Sequence, residues 1–240
     1  NDYSTYGSSG DIDELNRMGL LSTRNYRTSE LEGANRIDGR NLASYVVKKI
    51  TCPGCAVRCK AEVELKNGKH AGFRGGRPEY ESVIDLGALC GLTDPDALMY
   101  LSNLSNILGL DTISTGSVIA FAMDLYDRGI IGPDQTDGLE LDWGNGDAME
   151  AMMYKIATRE GIGNVLADGV FRAAQKIGNG AERYAYHVKG VELYGSDPRG
   201  MMGTALSYAV SMRGGDFTSV YPVPEFRYTA ERAEREFGSR

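Results

Sequence analysis

Residues 94–129 read DPDALMYLSNLSNILGLDTISTGSVIAFAMDLYDRG, and this stretch indicates the fold class. Asp94 followed by Pro95 is a typical helix start, and leucines then recur at helical spacing until Gly109. A polar corner at 111–116 separates this helix from a second, nearly all-apolar helix at 118–126. A helix that is apolar on all faces must be buried on most sides. We therefore predict a mainly α-helical chain.

Patterns elsewhere predict more helices and a small amount of β structure. Alternating apolar and charged residues at 61–65 are followed by Asn67-Gly68, a dipeptide that accepts the positive φ values of a type I′ turn. This predicts a short β-hairpin directly after a group of cysteines. Helical spacing predicts further helices at 9–18, from 78 onward, and at 148–159, 164–177 and 229–237, with a strand-like run at 184–193.

The domain organisation is predicted from a composition shift at Gly178-Asn179-Gly180. It divides the chain into a helical domain at 1–178 and the start of a second helical domain, incomplete, at 179–240. The chain opens on Asn1 and has abrupt polar ends, so we expect it to be a piece of a longer protein.

Composition excludes several classes of protein. The 240 residues are 42% hydrophobic and 25% charged, which is ordinary for a globular protein and excludes disordered and fibrous classes. A net charge of −7 argues against nucleic acid or an anionic membrane as the main partner. The longest apolar run, 118–123, is far shorter than the ~20 residues of a membrane span. With no signal peptide pattern, the sequence predicts a cytoplasmic location without a membrane span.

Three of the four cysteines lie within eight residues, as Cys52-Pro-Gly-Cys55-Ala-Val-Arg-Cys59. A disulfide framework would distribute its cysteines, whereas a C-x2-C-x3-C loop is predicted to fold three thiolates onto one side of a turn, where they suit an iron–sulfur cluster or zinc. The sequence leaves both metals open. It also leaves open a fourth ligand from Cys90, or from His70 if the site binds zinc.

Two further segments carry polar groups next to apolar ones. Pro78-Glu79-Tyr80-Glu81-Ser82 precedes an apolar stretch that would draw a carboxylate into the interior and raise its pKa, although acids at a helix N-terminus are the simpler interpretation. The corner at 106–112 could accept hydrogen bonds from a heterocycle, or be an ordinary helix end.

Two arginines in glycine-containing loops, Arg199 and Arg213, could bind phosphate or carboxylate, or form loop salt bridges. The two histidines, His70 and His187, form no metal-binding pair.

Taken together, these segments resemble the aldehyde ferredoxin oxidoreductase family of tungsten (less often molybdenum) pterin enzymes. The resemblance is collinear over almost the whole chain and rests on the following segments: Thr5-Tyr6-Gly7, Gly19-Leu20, Arg24-Asn25-Tyr26, the three-cysteine loop, 78–82, 108–116, Asp197-Pro198-Arg199-Gly200 and Arg213-Gly214-Gly215.

The resemblance implies the helical second domain and the start of the third domain of such an enzyme. It implies a 4Fe-4S cluster bound by Cys52, Cys55 and Cys59, and a tungsten-bis-pterin cofactor, with molybdenum as the alternative metal. Glu81 falls on the active-site glutamate. Asn106, Gly109, Leu110 and Asp111 fall on the family's Asp-x-x-Gly-Leu-Asp pterin motif. The implied partners are ferredoxin or a similar electron carrier, an aldehyde or carboxylate substrate, and the remaining domains of the full-length chain.

The sequence departs from the family pattern at sites that bear on the chemistry. Asn106 replaces the first aspartate of the pterin motif, and Phe217 stands where aldehyde-oxidising relatives place a histidine. The second pterin motif, with the fourth cluster cysteine, and the amino-terminal base of the cofactor are not in these 240 residues. Cys90, in an apolar run, is predicted to be structural.

Three functions follow from this reading. The first is interconversion of aldehydes and carboxylates with ferredoxin as electron partner. The second is a catalytic subunit of the benzoyl-CoA reductase type, since a Phe-lined pocket without the histidine suits an aromatic thioester. The third is a cluster-binding electron-transfer fragment without its own catalysis.

Overall fold

The computed structural model describes residues 2–222 and 228–238, and the architecture is mainly α-helical, as predicted. The helices, in chain order, are α1 (Asp2–Tyr6), α2 (Ile12–Arg17), α3 (Gly39–Leu42), α4 (Tyr80–Leu86), α5 (Pro95–Leu108), α6 (Thr112–Asp127), α7 (Gly146–Thr158), α8 (Ile162–Leu166), α9 (Gly169–Ile177), α10 (Met202–Val210), α11 (Phe217–Val220) and α12 (Ala230–Phe237). The strands are β1 (Val46–Lys49), β2 (Ala61–Glu64), β3 (Arg74–Gly76), β4 (His187–Val188) and β5 (Val191–Glu192). Short 3₁₀ turns occupy Ala34–Arg36, Ala43–Tyr45, Ala88–Cys90 and Ala181–Tyr184.

The helix pair α5 and α6 forms as its capping residues dictate. The Asp94 side chain accepts hydrogen bonds from the N–H groups of Asp96 and Ala97, and Gly109 ends α5 with φ 70°. The prediction that α6 begins at residue 118 was wrong, because Asp111 caps an earlier turn by accepting from the N–H of Ser114 at 2.7 Å. The polar corner at 112–116 is therefore the first turn of α6.

Helix α6 lies at the centre of the core. Every residue from 115 to 125 is buried, which confirms the prediction that this nearly all-apolar helix is buried on most sides. The helix contacts α4, α5, α7, α9, β5 and two of the 3₁₀ turns. None of the described helices alone has the length and apolarity of a membrane span, and α5 with α6 meets that test only as a pair bent by 117°.

A close helix crossing joins α4 to α6 at Asp85 and Gly116. A Cβ atom added at Gly116 would lie 2.4 Å from the Asp85 carbonyl carbon and oxygen. Real Cβ contacts are never this short, so only glycine allows the two helices to approach so closely. The Cys90 thiol lies at the same crossing and donates to the carbonyls of Asp85 at 3.4 Å and Gly116 at 3.5 Å.

The N-terminal residues 24–27 are attached to this core through the buried carboxylate of Asp124. Asp124 on α6 is 0% exposed and accepts from Asn25 Nδ2 at 2.9 Å and Arg128 Nε at 2.8 Å, with Arg27 as its second cation. The residues 24–26 have φ of 47°, 50° and 60°, a left-handed conformation that costs free energy in residues other than glycine. Backbone bonds from the N–H groups of residues 24 and 25 to the carbonyls of 88 and 89, at 3.1 and 3.0 Å, hold this conformation.

The predicted hairpin after the cysteines is present, within an antiparallel sheet of order β1-β2-β3. Its turn was predicted wrongly, because residues 65–73 connect β2 to β3 and only Gly68 of the Asn67-Gly68 pair has a positive φ. Asn67 instead donates from its backbone and side chain to Asp96, at 3.0 and 3.2 Å. A type I′ turn does occur at Lys189-Gly190, with φ 52° and 82°, between β4 and β5.

Two other predictions needed correction. The helix predicted at 164–177 is two helices, α8 and α9, because Gly169 has φ 83° and the N–H of Val170 donates to Glu192 Oε1 at 2.8 Å. The strand-like run at 184–193 contains only β4 and β5, of two residues each. The charged helix predicted at 229–237 is confirmed as α12, with the Thr229 side chain as its cap.

The domain division at residues 178–180 stays a prediction. Buried side chains from both sides of it, among them Ala174, Ala181 and Tyr194, belong to one hydrophobic cluster.

Gly116→Ala should destabilise the protein, because the added methyl group would overlap the Asp85 backbone. We expect the free energy of unfolding to fall by about 1–3 kcal/mol, measured by denaturant titration. Gly132→Ala is the matched control, since its Cβ would meet only the Gln135 side chain at 3.7 Å. Equal stability of the two variants would contradict a tight α4–α6 crossing.

Candidate functional site

Glu81 lies in the first turn of α4, partly buried, as the sequence predicts. Its Oε2 accepts a hydrogen bond from the backbone N–H of Gly195 at 2.9 Å. Burial raises the pKa of Glu81 to about 7, and the Gly195 hydrogen bond opposes this shift. A carboxyl group with this pKa can both take and release a proton near neutral pH.

Gly195 is a site residue that the sequence reasoning missed. A Cβ atom there would lie 2.6 Å from Ile84 Cγ2, so only glycine lets this backbone N–H reach α4. The preceding carbonyl, of Tyr194, accepts from the hydroxyl groups of Tyr26 at 3.4 Å and Tyr208 at 3.3 Å. The donor to Glu81 is therefore held in place by buried tyrosines from two other segments.

A cavity of about 630 Å³ opens beside Glu81. Its wall is mostly apolar and aromatic, and includes Tyr80, Phe217 and Tyr221. Phe217 is 41% exposed and its ring lies 6.4 Å from the ring of Tyr194. The structure thus brings Phe217 and Glu81, which are far apart in the sequence, to one pocket.

The two arginine motifs form salt bridges within their own loops. Arg199 binds the buried carboxylate of Asp197 through Nε at 2.9 Å and Nη2 at 2.5 Å. Arg213 pairs with Asp216 at 2.9 Å. Of the two interpretations left open by the sequence, loop salt bridges are therefore the one observed in this structure.

The corner between α5 and α6 lies next to the helix that carries Glu81. The Ser82 hydroxyl on α4 donates to the Thr112 hydroxyl on α6 at 3.0 Å. Asn106 and Asp111 are exposed on this corner, and a Cβ at Gly109 would meet nothing within 4 Å. The corner is therefore open to a ligand, and its outward amide and carboxylate oxygens suit the N–H groups of a pterin ring.

The three clustered cysteines lie on an exposed loop before β2. Cys52 is exposed and Cys55 and Cys59 are partly buried, all as free thiols. Within residues 2–222 and 228–238, no three potential metal-binding side chains are gathered, so the expected convergence of the thiolates is not observed. The donor chemistry still fits an iron–sulfur group, because the N–H groups of Arg58 and Val57 lower the pKa of Cys55 and favour its thiolate.

The other candidate ligands have different partners. Cys90 is 0% exposed in the core, and burial raises its pKa well above the ordinary value. His70 stacks on Tyr100 with ring centroids 3.4 Å apart, and its Nε2 lies 3.0 Å from Glu150 Oε2. Neither side chain is placed with the three-cysteine loop as a fourth ligand.

Arg77 connects the cysteine loop to the segment before Glu81, and the sequence reasoning missed it. Its Nη2 donates to the Cys59 carbonyl at 2.5 Å and its Nη1 to the Thr5 carbonyl at 2.9 Å. The side chain is 7% exposed, and Gly7 leaves the space that it occupies. A buried arginine directly before Pro78-Glu79 was the available signal, because a charge there needs several acceptors.

Known proteins are similar to this chain over most of its length. An aliphatic sulfonate oxidoreductase, WOR-like subunit, of Pyrococcus furiosus is 38% identical over 192 residues, which cover 78% of this chain and 31% of that protein. A tungsten-containing aldehyde ferredoxin oxidoreductase of Thermococcus kodakarensis is 35% identical over 212 residues, covering 88% of this chain and 34% of that protein. This chain therefore spans about a third of the length of these relatives.

The fold has a counterpart in a solved structure, the active site complex BamBC of benzoyl coenzyme A reductase with 1,5-dienoyl-CoA. The match has a TM-score of 0.63 and 22% identity, and covers 81% of this chain and 28% of that chain, so it shows a shared fold. The family model for aldehyde ferredoxin oxidoreductase, domains 2 & 3, matches residues 1–237. This match covers nearly the whole chain, and we conclude that the chain belongs to the aldehyde ferredoxin oxidoreductase family.

Proposed function

We propose that the protein containing this chain is a tungstopterin, 4Fe-4S oxidoreductase that interconverts aldehydes and carboxylates, with ferredoxin as its electron partner. The names of the tungsten-containing relatives support the metal and the reaction class. Because this chain spans about a third of those relatives, the complete activity is assigned to the full-length protein.

Glu81 is the observation that carries this proposal. Its carboxylate combines a pKa of about 7, a fixed backbone donor and a position at the wall of a 630 Å³ cavity. A surface glutamate that only decorates a helix N-terminus would not combine all three features. The geometry therefore favours a general base.

Oxidation of an aldehyde follows RCHO + H₂O → RCOO⁻ + 3 H⁺ + 2 e⁻, so the site must accept protons as well as electrons. The pterin-bound metal and the cluster, when present, would supply the electron acceptor. Glu81 takes a proton at Oε1, while the N–H of Gly195 holds Oε2 and fixes the orientation of the carboxylate. Tyr80, Phe217 and Tyr221 form an aromatic part of the cavity wall beside Glu81.

The chain's own residues would also hold the two cofactors. The outward oxygens of Asn106 and Asp111 and the backbone of Leu110 would accept hydrogen bonds from a pterin at the corner. Cys52, Cys55 and Cys59 would bind the cluster through their thiolates. The Asn106 amide presents one acceptor oxygen where a carboxylate presents two, so we expect this contact to be weaker than in relatives with aspartate.

A second candidate is reduction of an aromatic thioester by an enzyme of the benzoyl-CoA reductase type. Phe217 supports it, because its ring lines the Glu81 pocket with Tyr221, and aromatic walls stack favourably on flat rings. Assays of the full-length protein with aldehydes and with aromatic acyl-CoA separate the two candidates. Metal analysis tests the third: iron without tungsten or molybdenum would favour an electron-transfer role.

Glu81→Gln should lower turnover of the full-length enzyme by roughly 10²-fold or more, because it removes the base and keeps its shape. Metal and pterin content should be unchanged. The matched control is Glu79→Gln, since Glu79 lines the same cavity and is paired with Ser8 at 2.5 Å and Lys60 at 3.3 Å. Full activity of the Glu81 variant would end its assignment as the base.

The pH dependence of kcat/KM should report the same group. Since the ionised form of Glu81 is the base, activity should rise with pH and level off above its pKa of about 7. This acid limb should be missing in Glu81→Gln. A limb that persists in that variant would assign the titration to another group.

The cysteines make a separate prediction about iron. In anaerobically prepared full-length protein, changing Cys52, Cys55 or Cys59 to serine should lower the iron content by about one cluster. Cys90→Ala should leave iron unchanged and cost about 1 kcal/mol of stability through lost packing. Iron loss in the Cys90 variant would show that Cys90 is a ligand, and zinc in place of iron would overturn the cluster itself.

A further inference from the structure

Asp85 is a second carboxylate on the helix of Glu81, and the proposed mechanism does not use it. It follows Glu81 by four residues, so the two side chains project from the same face of α4, with Cβ atoms about 5–6 Å apart. Asp85 is 0% exposed, and within the described parts of the chain neither of its oxygens makes a hydrogen bond of ordinary geometry. Such an arrangement is rare for a buried carboxylate.

The elements packed against Asp85 offer no compensation for a negative charge. On α6, Gly116 lies so close that its added Cβ would be 2.7 Å from the Asp85 Cβ. The titratable groups that interact electrostatically with Asp85 are carboxyl, phenol and thiol groups: Glu81, Asp111, Glu192, Tyr26, Tyr208 and Cys90. The hydroxyl of Ser117 is the one group among these neighbours that favours ionisation.

Asp124 provides an internal comparison. It is also 0% exposed on α6, but it receives Arg27, Arg128 and the Asn25 amide. A buried carboxylate with two cations and an amide donor is stable as an anion, whereas one without them keeps its proton. The two aspartates are equally buried, and Asp124 has the cations and the amide donor that Asp85 lacks among the described residues.

We propose that Asp85 remains protonated next to Glu81, so that the pair carries a single negative charge when Glu81 acts as base. Its link to catalysis rests on the function proposed for Glu81. Its protonation does not, because that follows from burial and missing partners. Burial and the charge of Glu81 both raise the pKa of Asp85 well above its usual value.

Isotope-edited infrared spectroscopy of the full-length protein, with ¹³C-labelled aspartate, tests this directly. At about pH 8, where Glu81 is mostly ionised, the wild type should show the C=O band of a protonated aspartic acid. Asp85→Asn should remove that band. Asp168→Asn is the matched control and should leave it, because Asp168 pairs with Lys176 and Arg159 and its pKa is lowered.

Absence of the band in the wild type would overturn the proposal even if the Asp85 variant failed to fold. The coupling has its own readout, which a purely structural role would not move. In Glu81→Gln, removal of the neighbouring charge should lower the pH at which the Asp85 band disappears by about one unit, and an unchanged midpoint would exclude a coupled pair.

Kinetics of Asp85→Asn then distinguish a protonated Asp85 from an ionised one in the working enzyme. The acid limb of kcat/KM should stay near pH 7, since a neutral amide replaces a neutral acid. A shift of that limb to lower pH, by about one pH unit or more, would show that Asp85 is charged in the working enzyme. Persistence of the limb in Glu81→Gln, with the infrared band of the wild type intact, would refute the role of Glu81 and leave the protonation of Asp85 standing.

Discussion

The close crossing of α4 and α6 is the constraint on which the rest of the structure depends. Gly116 has no side chain, so the backbone of α4 at Asp85 can lie directly on α6. Helix α4 carries Glu81 at its start, and α6 starts at the open corner that follows Gly109. The distance between the two helix axes therefore also sets the distance between the predicted base and the predicted pterin motif. The hydrogen bond from Ser82 to Thr112 fixes their relative position at the site end.

The chemistry of Glu81 is produced by neighbours distant in sequence. Burial raises its pKa, and one backbone donor, 114 residues later in the chain, limits that rise. That donor reaches the carboxylate because Gly195 presents no side chain to Ile84. Arg77 acts similarly for the cysteine loop, because a single guanidinium connects Cys59 with the N-terminal segment. Gly195 and Arg77, neither of which is an expected catalytic or binding residue, thus organise the site.

Local signals made much of the fold predictable. The caps of α5, the burial of α6 and the charged helix α12 follow from residues within one or two turns of each element. The errors arose where two local readings compete, as at Asp111, whose side chain caps a helix in a segment that reads as a polar corner. Asn67 was misread for a different reason, because a tertiary contact with Asp96 outweighs its turn propensity.

The sequence predicts which residues belong to the candidate site better than it predicts how they lie relative to one another. The resemblance named Glu81 and the corner, but neither their proximity nor the roles of Gly195 and Asp85 can be read from spacing, since these contacts join segments far apart in the chain. The thiol loop shows the converse case. Its spacing predicts ligation well, whereas the polypeptide alone does not gather the three sulfurs.

The left-handed residues 24–26 have a consequence for biosynthesis. Their conformation depends on the carbonyls at 88 and 89, and Arg27 depends on the carboxylate of Asp124. At a translation rate of about 5–20 residues per second, the ribosome needs several seconds after adding residue 27 to synthesise the chain as far as Asp124. Until then residues 24–27 have only local partners, such as the Arg24 carbonyl, which accepts from the N–H of Arg27 at 3.1 Å. The N-terminal part of this chain is therefore synthesised first and completed late, on a helical template that emerges after it.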